Sequence, residues 1–381
     1  MALNVMQDKR LLVVGGTGVI SFAVVNEALK QGWKVTCINR GISHTQTLGQ
    51  EVEQIIADYH NESLIRSKLA GRMFDAVLDV LCYTEKDIEY SVSLFKDHCK
   101  QYLFFSSAEA YNKPKYADRV YNEDADLVNP LWSYSINKAK CEECLKVLAE
   151  KLNITYTIIR PAITYGNTRI PYGVMPSYGY HGTIIHRILN DKPILLWDEG
   201  KAIAQITRVE DFAVGLVGLL DNPHAYNQAF HICGDEAYTW KEVIDVLGQI
   251  LGKQPKYLNL SSLDLAREMP SYKEQILGGR AISQHLDNSK LKSAIPEFKT
   301  NISLYEGIKK TVDYYQSNNY LLGIDFEFDA LWDRIARKYG YASPLKFIDY
   351  LGNSSLKDKL TYFCSYHQIP FMQKVISRLL K

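Results

Sequence analysis

The chain has almost no net charge and no long hydrophobic run near its N-terminus. It contains 44 Lys and Arg residues against 43 Asp and Glu residues, for a formal net charge of +1. No overall field would therefore draw it to nucleic acid or to an anionic membrane surface. The first apolar run, residues 11–14, is too short for a signal peptide or a transmembrane helix, so we expect no membrane span.

Cysteine is scarce as well. The seven cysteines are scattered and odd in number, which is untypical of a disulfide framework and indicates a reduced, cytoplasmic setting. Of the 381 residues, 46% are hydrophobic and 23% are charged, a composition typical of a globular protein with a sizeable core. The length suits two domains better than one.

A short apolar run, a group of glycines and a helical pattern follow one another near the N-terminus. The run "RLLVVGGTGVIS" spans residues 10–21 and predicts the strand, tight turn and helix of a dinucleotide-binding unit. Gly15 would permit the turn, Gly18 would let the backbone approach a pyrophosphate, and Ser21 stands in place of a third glycine. We expect cofactor contacts from Gly15, Thr17, Gly18, Val19 and Ile20.

The second predicted strand ends at Asn39 and Arg40, where NAD-binding folds usually place an acidic residue for the ribose. Asn39 offers no carboxylate, whereas the planar guanidinium of Arg40 can pair with a 2′-phosphate. This favours NADP over NAD as the cofactor; the alternative is that Arg40 is only a solvated residue at a strand end. The following strand leads to Asp58, which could accept a hydrogen bond from the adenine amino group.

Strands alternate with helical stretches over the first part of the chain, which predicts an α/β fold with a doubly wound parallel sheet of the Rossmann type. We assign residues 1–165 and about 203–235 to this dinucleotide-binding domain. Residues 166–202 and 236–317 form a smaller α/β substrate domain. Residues 318–381 form a helical C-terminal extension, interpreted as a cap or a dimer contact, with a membrane-surface foot at residues 371–381 as the alternative.

Two readings compete for the segment "WSYSINKAKCEEC" at residues 132–144. Tyr134 and Lys138 share one face if the segment is helical, and a lysine one turn away would bring the phenol pKa down towards a useful range. Tyr134 could then exchange a proton with a sugar hydroxyl while Ser107, after the fifth strand, orients the same oxygen. The other reading is a metal or redox site at Cys141 and Cys144; because no second pair of ligands has zinc-site spacing, we expect no metal.

Five motifs occur together in a familiar order. They are Gly15–Ser21, Asp58, "SSAEAY", "YSINK" and "IIRPAITYG". Their order and spacing resemble the extended short-chain dehydrogenase/reductases, the family of NAD(P)-dependent nucleotide-sugar epimerases, dehydratases and reductases, over residues 8–317. The resemblance implies that Ser107, Tyr134 and Lys138 are catalytic and that Ser106 and Lys138 contact the cofactor.

The sequence departs from the family pattern at two places that concern the substrate. Dehydratases of the family carry an aspartate as proton donor where this chain has Ala108, so dehydration is disfavoured, and we expect Ala108, Glu109 and Tyr165 to line the substrate site. An Arg-Asp pair that often binds the substrate diphosphate is replaced by Ala204 and Gln205. We expect Arg208 and Arg280 to replace this anchor, with Arg169 and Arg187 as further candidates.

Three functions remain open at this point. The first is an NADP(H)-dependent reductase of a nucleotide-linked 4-keto sugar, favoured because Arg40 suggests NADPH. The second is a nucleotide-sugar 4-epimerase that keeps its NAD tightly bound. The third is a non-catalytic relative that binds the cofactor or RNA, which is disfavoured because Tyr134 and Lys138 are both retained and no basic run exists. We also expect a homodimer with a nucleotide-sugar substrate and no nucleic-acid partner.

Overall fold

The computed structural model describes residues 9–42, 46–174, 182–318, 323–341, 352 and 354–369. These residues divide into two compact units. The first unit comprises the described residues within Met1–Gly166, Ile203–Ala237 and Ile282–Ser303, and the second comprises those within Asn167–Ala202, Tyr238–Ala281 and Leu304–Lys381. The segment 282–303, which the sequence assigned to the substrate domain, thus packs with the first unit.

The strands and helices are numbered in chain order. The strands are β1 Arg10–Val14, β2 Lys34–Asn39, β3 Glu53–Ile56, β4 Phe74–Asp79, β5 Cys99–Phe105, β6 Val120–Tyr121, β7 Tyr156–Pro161, β8 Ile163–Tyr165, β9 Ile194–Trp197, β10 Ile203–Arg208, β11 Gln228–Ile232, β12 Ala237–Thr239, β13 Tyr257–Leu260 and β14 His285–Leu286. The helices are α1 Val19–Lys30, α2 Glu62–Leu69, α3 Glu85–Phe95, α4 Lys113–Tyr116, α5 Ser133–Leu152, α6 Gly182–Leu189, α7 Val209–Gly218, α8 Trp240–Ile250, α9 Ser262–Glu268, α10 Lys273–Gln275, α11 Ser289–Ala294, α12 Leu304–Ser317, α13 Phe326–Lys338 and α14 Leu356–Tyr366.

A seven-stranded sheet forms the centre of the first unit. Its strand order is β11-β7-β5-β4-β1-β2-β3, and every neighbouring pair runs parallel. The order reverses at β1, as in doubly wound dinucleotide-binding sheets. The predicted fold class is therefore confirmed, and the carboxyl ends of the strands share one edge of the sheet.

The core of the first unit follows from the alternation of side chains along the strands. Leu11 and Val13 point into an apolar cluster that also contains residues of α1 and α7. Leu12 and Val14 point into a second cluster, with residues of α3 and α5. The sheet is thus covered on both faces, which explains why its strands are continuous apolar runs.

The second unit contains a buried cluster of four charges. Arg187, on α6, binds Asp329 of α13 at 2.5 Å and Asp333 at 3.0 Å. Lys192 binds Asp329 at 2.6 Å and also pairs with Asp333. The Tyr362 hydroxyl of α14 donates to Asp333 at 2.6 Å. Two cations and two anions balance one another here, so the cluster carries no net charge and fastens α13 and α14 to the rest of this unit.

The described part of the C-terminal extension is helical, in α13 and α14. The terminal segment 371–381, for which the sequence left a membrane-surface foot as an alternative, lies outside the described residues. Within the described ranges, no helix is both long enough and apolar enough to cross a bilayer.

We predict that Asp329→Asn lowers the free energy of unfolding by about 3–5 kcal/mol, because it leaves Arg187 and Lys192 short of a buried counter-charge. The measurement is urea denaturation followed by circular dichroism. Asp313→Asn is the control, since its ion pair with Lys309 joins side chains that are each 53% exposed and is expected to contribute less than about 1 kcal/mol. Equal effects of the two substitutions would contradict the proposed role of the cluster.

Candidate active site

The turn after β1 is held in a fixed shape. Gly15 has φ +87, and a Cβ atom there would lie 2.9 Å from a methyl group of Val80, so only glycine fits. The Ser21 hydroxyl donates to the Gly15 carbonyl oxygen at 2.6 Å and accepts from the Gly18 N–H at 3.1 Å. Ser21, which occupies the position of the third glycine, therefore stabilises the turn through its two hydrogen bonds.

This turn leads directly into the N-terminus of α1. Gly18 is the exposed residue that precedes the helix, while Thr17 and Ile20 are half-buried and Val19 is buried. The first N–H groups of a helix lack intrahelical partners and favour an anion. Together with the glycine turn, they fit the pyrophosphate of a dinucleotide; the individual contacts of Thr17, Val19 and Ile20 remain predictions.

Asn39 ends β2 in an unusual state. Asn39 is 7% exposed. Neither the nitrogen nor the oxygen of its side-chain amide has a hydrogen-bond partner among the described residues. An unpartnered buried amide is costly, so its presence at the cofactor edge fits a ribose hydroxyl that would satisfy it. Arg40, the next residue, is exposed.

Asp58 follows β3 at the same edge of the sheet. It is exposed, and its carboxylate accepts a hydrogen bond from the His60 N–H at 3.0 Å. This bond fixes the side chain within a turn and leaves the second carboxylate oxygen for another donor. Contact with adenine remains a prediction.

Lys138 is the most constrained of the predicted catalytic residues. It is 2% exposed, and its Nζ donates to the carbonyl oxygens of Cys82 at 2.7 Å and Phe105 at 2.8 Å. Burial lowers its pKa below the ordinary value for lysine. The Nζ lies 6.0 Å from the centre of the Tyr134 ring, and both residues are on α5, so the predicted helical spacing is confirmed.

Tyr134 and Ser107 are placed at this same edge of the sheet. Tyr134 is half-buried in the first turn of α5, with its ring 5.3 Å from that of Trp132. The Ser107 Oγ accepts from the Glu109 N–H at 3.1 Å, and its own hydroxyl hydrogen has no acceptor in the described part of the chain. Because Lys138 binds Phe105, α5 lies against the strand end that leads to Ser107 two residues later.

The residues after Ser107 are largely engaged with the protein. The Glu109 carboxylate is buried and forms an ion pair with Lys113 at 2.6 Å. The Ala108 carbonyl oxygen accepts from Gln284 at 3.2 Å. A carboxylate held by a buried lysine is a poor proton donor, which agrees with the expectation that dehydration is disfavoured.

Arg208 and Tyr165 form a buried pair. Arg208 is 1% exposed, its guanidinium lies 5.3 Å from the Tyr165 ring centre, and it binds Glu210 through Nε at 2.7 Å and Nη2 at 3.1 Å. The guanidinium already has a bidentate carboxylate, so a substrate phosphate would have to compete with Glu210. Its predicted substrate role remains a prediction.

Arg280 lies in the second unit, at the end of a π-helical turn. Its Nε donates to the Gly173 carbonyl oxygen at 2.8 Å, and its own carbonyl oxygen accepts from the indole N–H groups of Trp197 and Trp240 at 2.9 and 3.1 Å. Its backbone is therefore well fixed. Arg187, another candidate, is neutralised in the buried charge cluster.

The cysteine pair on α5 shows no sign of a metal site. Cys141 is buried, and burial raises the pKa of its thiol to about 12. Cys144 donates weakly to the Glu85 carbonyl oxygen at 3.8 Å. All seven cysteines are free thiols. Across the described ranges, no three His, Cys, Asp or Glu side chains lie close enough to hold a metal ion.

A buried polar network beside Ser107 was not predicted from the sequence. The Ser106 hydroxyl donates to Glu142 at 2.5 Å, and Arg160 binds the same carboxylate at 3.0 and 2.6 Å. Arg160 also donates to the Tyr111 hydroxyl at 2.9 Å, which in turn bonds to His231 at 3.0 Å. The signal in the sequence was an arginine inside an apolar strand, which requires a buried counter-charge.

His231 is the neutral end of this network. Its Nε2 bonds to the Asp287 carbonyl oxygen at 2.7 Å, so Nε2 carries the hydrogen and Nδ1 accepts from the Tyr111 hydroxyl. Burial lowers the pKa of His231 to about 4. At neutral pH, Arg160 therefore donates to Tyr111, Tyr111 donates to His231, and His231 donates to the Asp287 carbonyl oxygen.

Comparisons with known proteins show which family this chain belongs to. The sequence model of the NAD dependent epimerase/dehydratase family matches residues 11–233. The "Chloroplast stem-loop binding protein of 41 kDa b" of Arabidopsis thaliana is 27% identical over 250 residues, 62% of this chain and 62% of that protein. A putative UDP-glucose 4-epimerase of Methanocaldococcus jannaschii is 22% identical over 331 residues, 81% of this chain and 99% of its own.

Among solved structures, the UDP-glucuronic acid 4-epimerase of Bacillus cereus, in complex with UDP-glucuronic acid and NAD, is similar with a TM-score of 0.63 and 19% identity. The match covers 81% of this chain and 99% of that one. At this identity the similarity shows the fold alone, whereas the family match extends over more than half of the chain. The resemblance found in the sequence is confirmed: the chain belongs to the NAD-dependent epimerase/dehydratase family of enzymes.

Proposed function

We propose that this enzyme catalyses oxidation and reduction at C4 of a UDP-linked hexose, with 4-epimerisation as the net reaction. The observation that carries the proposal is the placement of Ser107, Tyr134 and Lys138 at the carboxyl edge of the sheet, beside the glycine turn. Parallel sheets of this type bind their ligands at that edge. A serine, a tyrosine and a lysine that lay away from this edge would not support a catalytic role.

The cofactor would be held by residues that the structure leaves ready for it. The N–H groups at the start of α1 suit the pyrophosphate, the Asn39 amide suits a ribose hydroxyl, and Asp58 suits the adenine amino group. When bound, a nicotinamide dinucleotide supplies the acceptor and donor of hydride. Lys138 has three N–H donors, of which two bind protein carbonyls, so the third is available to the ligands.

Tyr134 would act as the acid and base for the sugar hydroxyl. A free phenol is a weak base near neutral pH, and a cation within a helical turn stabilises its deprotonated form. Lys138 supplies this cation, and its two carbonyl partners keep it from turning away. Tyr134 would take the hydroxyl proton during oxidation and return it during reduction, which makes the same residue sufficient for both halves of an epimerisation.

Ser107 would orient the reacting oxygen. The Glu109 N–H occupies one lone pair of its Oγ, which fixes the hydroxyl group while leaving its hydrogen to donate to the sugar oxygen. A donor held in this way favours the negative charge that develops on that oxygen.

Two observations support a UDP-sugar 4-epimerase over a dehydratase: the missing acid at position 108 and the similarity to UDP-sugar epimerases. With Ala108 in place of an acid and Glu109 paired with Lys113, no free carboxylic acid in this segment can expel a hydroxyl group. The relatives named above include UDP-sugar 4-epimerases. For the diphosphate, Arg208 and Arg280 stay the candidates predicted from the sequence.

Reduction of a 4-keto sugar with NADPH is the second candidate, and the exposed Arg40 favours it. The two reactions use the same three residues and differ in whether the cofactor is consumed. The similar UDP-glucuronic acid 4-epimerase structure contains NAD, and this supports epimerisation as the preferred reaction.

We predict that the wild-type protein interconverts UDP-glucose and UDP-galactose without added cofactor, as followed by NMR. Tyr134→Phe should lower kcat about 10²- to 10⁴-fold, because it removes the proton acceptor, and should leave dinucleotide affinity nearly unchanged. Tyr226→Phe is the control. The Tyr226 hydroxyl donates to Asp221, and both residues precede β11, so they lie at the amino edge of the sheet, away from the proposed site. Consumption of NADPH with each turnover would select the reductase, and full activity of Tyr134→Phe would refute both.

Arg40 and Asn39 determine the choice of cofactor in this proposal. Arg40→Ala should weaken NADP binding about tenfold, equivalent to about 1.4 kcal/mol, and leave NAD binding unchanged. Asn39→Asp should favour NAD, because a carboxylate accepts from the ribose hydroxyls and repels a 2′-phosphate. Isothermal titration of both dinucleotides measures these changes, with the exposed Arg267→Ala as control. Equal losses for NAD and NADP in Arg40→Ala would contradict the assignment.

Binding of an RNA hairpin is the alternative suggested by the stem-loop binding relative. A chain with a net charge of +1 has little long-range attraction for phosphates. We therefore expect no saturable change in fluorescence anisotropy when the protein is titrated into a labelled RNA hairpin at physiological salt. Saturable binding by both the wild type and Tyr134→Phe, with no turnover of UDP-glucose, would favour the RNA-binding function.

A further inference from the structure

Ser107 is flanked by two residues that are each tied to buried groups. Upstream, the Ser106 N–H donates to the Ile159 carbonyl oxygen at 2.7 Å and its hydroxyl donates to Glu142 at 2.5 Å. Downstream, the Tyr111 hydroxyl accepts from Arg160 at 2.9 Å. The segment that carries Ser107 is therefore held at both ends.

Both ends of this segment are held by one ion pair. Glu142 and Arg160 form a bidentate contact at 3.0 and 2.6 Å, and both side chains are almost fully buried. Glu142 holds the upstream end through Ser106, and Arg160 holds the downstream end through Tyr111. Backbone hydrogen bonds also hold this loop, among them that of the Val128 N–H to the Ala110 carbonyl oxygen at 2.9 Å, but among the contacts described above the Glu142–Arg160 pair is the one that joins side chains on both sides of Ser107.

Glu142 of this ion pair lies on α5, the helix that also carries Tyr134. Tyr134, Lys138 and Glu142 are spaced four residues apart on α5, so they lie along one stripe of the helix. Lys138 binds the carbonyl oxygen of Phe105 and Glu142 binds the side chain of Ser106. Successive turns of α5 are therefore fixed to successive residues of the strand end that precedes Ser107.

The burial of the Glu142–Arg160 ion pair is not explained by packing alone. Removing two charges from water costs several kcal/mol, and apolar residues of similar volume often serve stability as well or better. The planar guanidinium and carboxylate have one feature that apolar residues lack, a fixed direction for each contact. Directional contacts suit a group whose task is to hold two separate elements in register.

We propose that the Glu142–Arg160 ion pair is a positioning element for catalysis, which holds the Ser107 loop and the Tyr134 helix at the separation that the reaction requires. It touches neither substrate nor cofactor, and it acts through Ser106 and Tyr111. This inference rests on the proposed function, because it assigns Ser107 and Tyr134 to one reacting oxygen. Misplacement of reacting groups by about 1 Å can lower a rate about a hundredfold.

Two single-hydroxyl deletions test this without removing either charge. Ser106→Ala removes the side-chain contact of the upstream end with Glu142, and Tyr111→Phe removes that of the downstream end with Arg160. With UDP-glucose as the probe, each should lower kcat about ten- to a hundredfold while KM stays near that of the wild type. Tyr111→Phe, which lies outside the predicted cofactor contacts, should also leave the dissociation constant for NAD near the wild-type value. A purely structural role would lower the melting temperature and leave kcat per folded molecule unchanged.

Thr157→Val is the matched control. Thr157 is buried on β7, three residues before Arg160, and its hydroxyl donates to the Ala225 carbonyl oxygen at 2.7 Å. It should lose a similar amount of thermal stability and keep its kcat. If Ser106→Ala and Tyr111→Phe behave like Thr157→Val while Tyr134→Phe is inactive, the positioning role is wrong and the proposed function stands. If Tyr134→Phe is active, the proposed function itself fails.

Discussion

The Nζ atom of Lys138 donates hydrogen bonds to the carbonyl oxygens of Cys82, beyond β4, and Phe105, at the end of β5. A buried ammonium group must be satisfied in this way, because burial without partners would be prohibitive. The Cys82 loop also contains Val80, whose methyl group excludes any side chain at Gly15. One cation thus links α5, the strand that leads to Ser107 and, through the Cys82 loop, the glycine turn, and the geometry of the proposed site depends on it.

The sequence predicted those parts of the molecule whose cause is local. The runs around Leu11–Val14 and Leu103–Phe105 are apolar because both faces of their strands are covered, and Tyr134 and Lys138 are spaced for one face of a helix. The turn at Gly15 was predictable because glycines between an apolar run and a helical pattern are typical of a tight turn with positive φ, whereas the close approach of Val80 was not visible in the sequence. In each case a few neighbouring residues carry the whole physical argument, so one sequence is sufficient.

The partners of buried polar groups could not be predicted, because they come from distant segments. The sequence could not show that Glu210 binds two of the three guanidinium nitrogens of Arg208, or that Asp329 and Asp333 lie beside Arg187. Glu142 gave no signal on a helix rich in glutamate, and only its approach to Arg160 shows its importance. Asn39 was recognised as the absence of a carboxylate, whereas the structure adds that its amide is buried without a partner in the described part of the chain.

The charge cluster of the second unit makes two separate regions of the chain depend on one another. Arg187 and Lys192 lie within the part of the chain that matches the family, residues 11–233, while Asp329 and Asp333 lie beyond it. Without α13, Arg187 and Lys192 would lose both carboxylates that neutralise them. Two regions that are 142 residues apart in the chain at Arg187 and Asp329 therefore act as one electrostatic unit, and neither region is fully satisfied without the other.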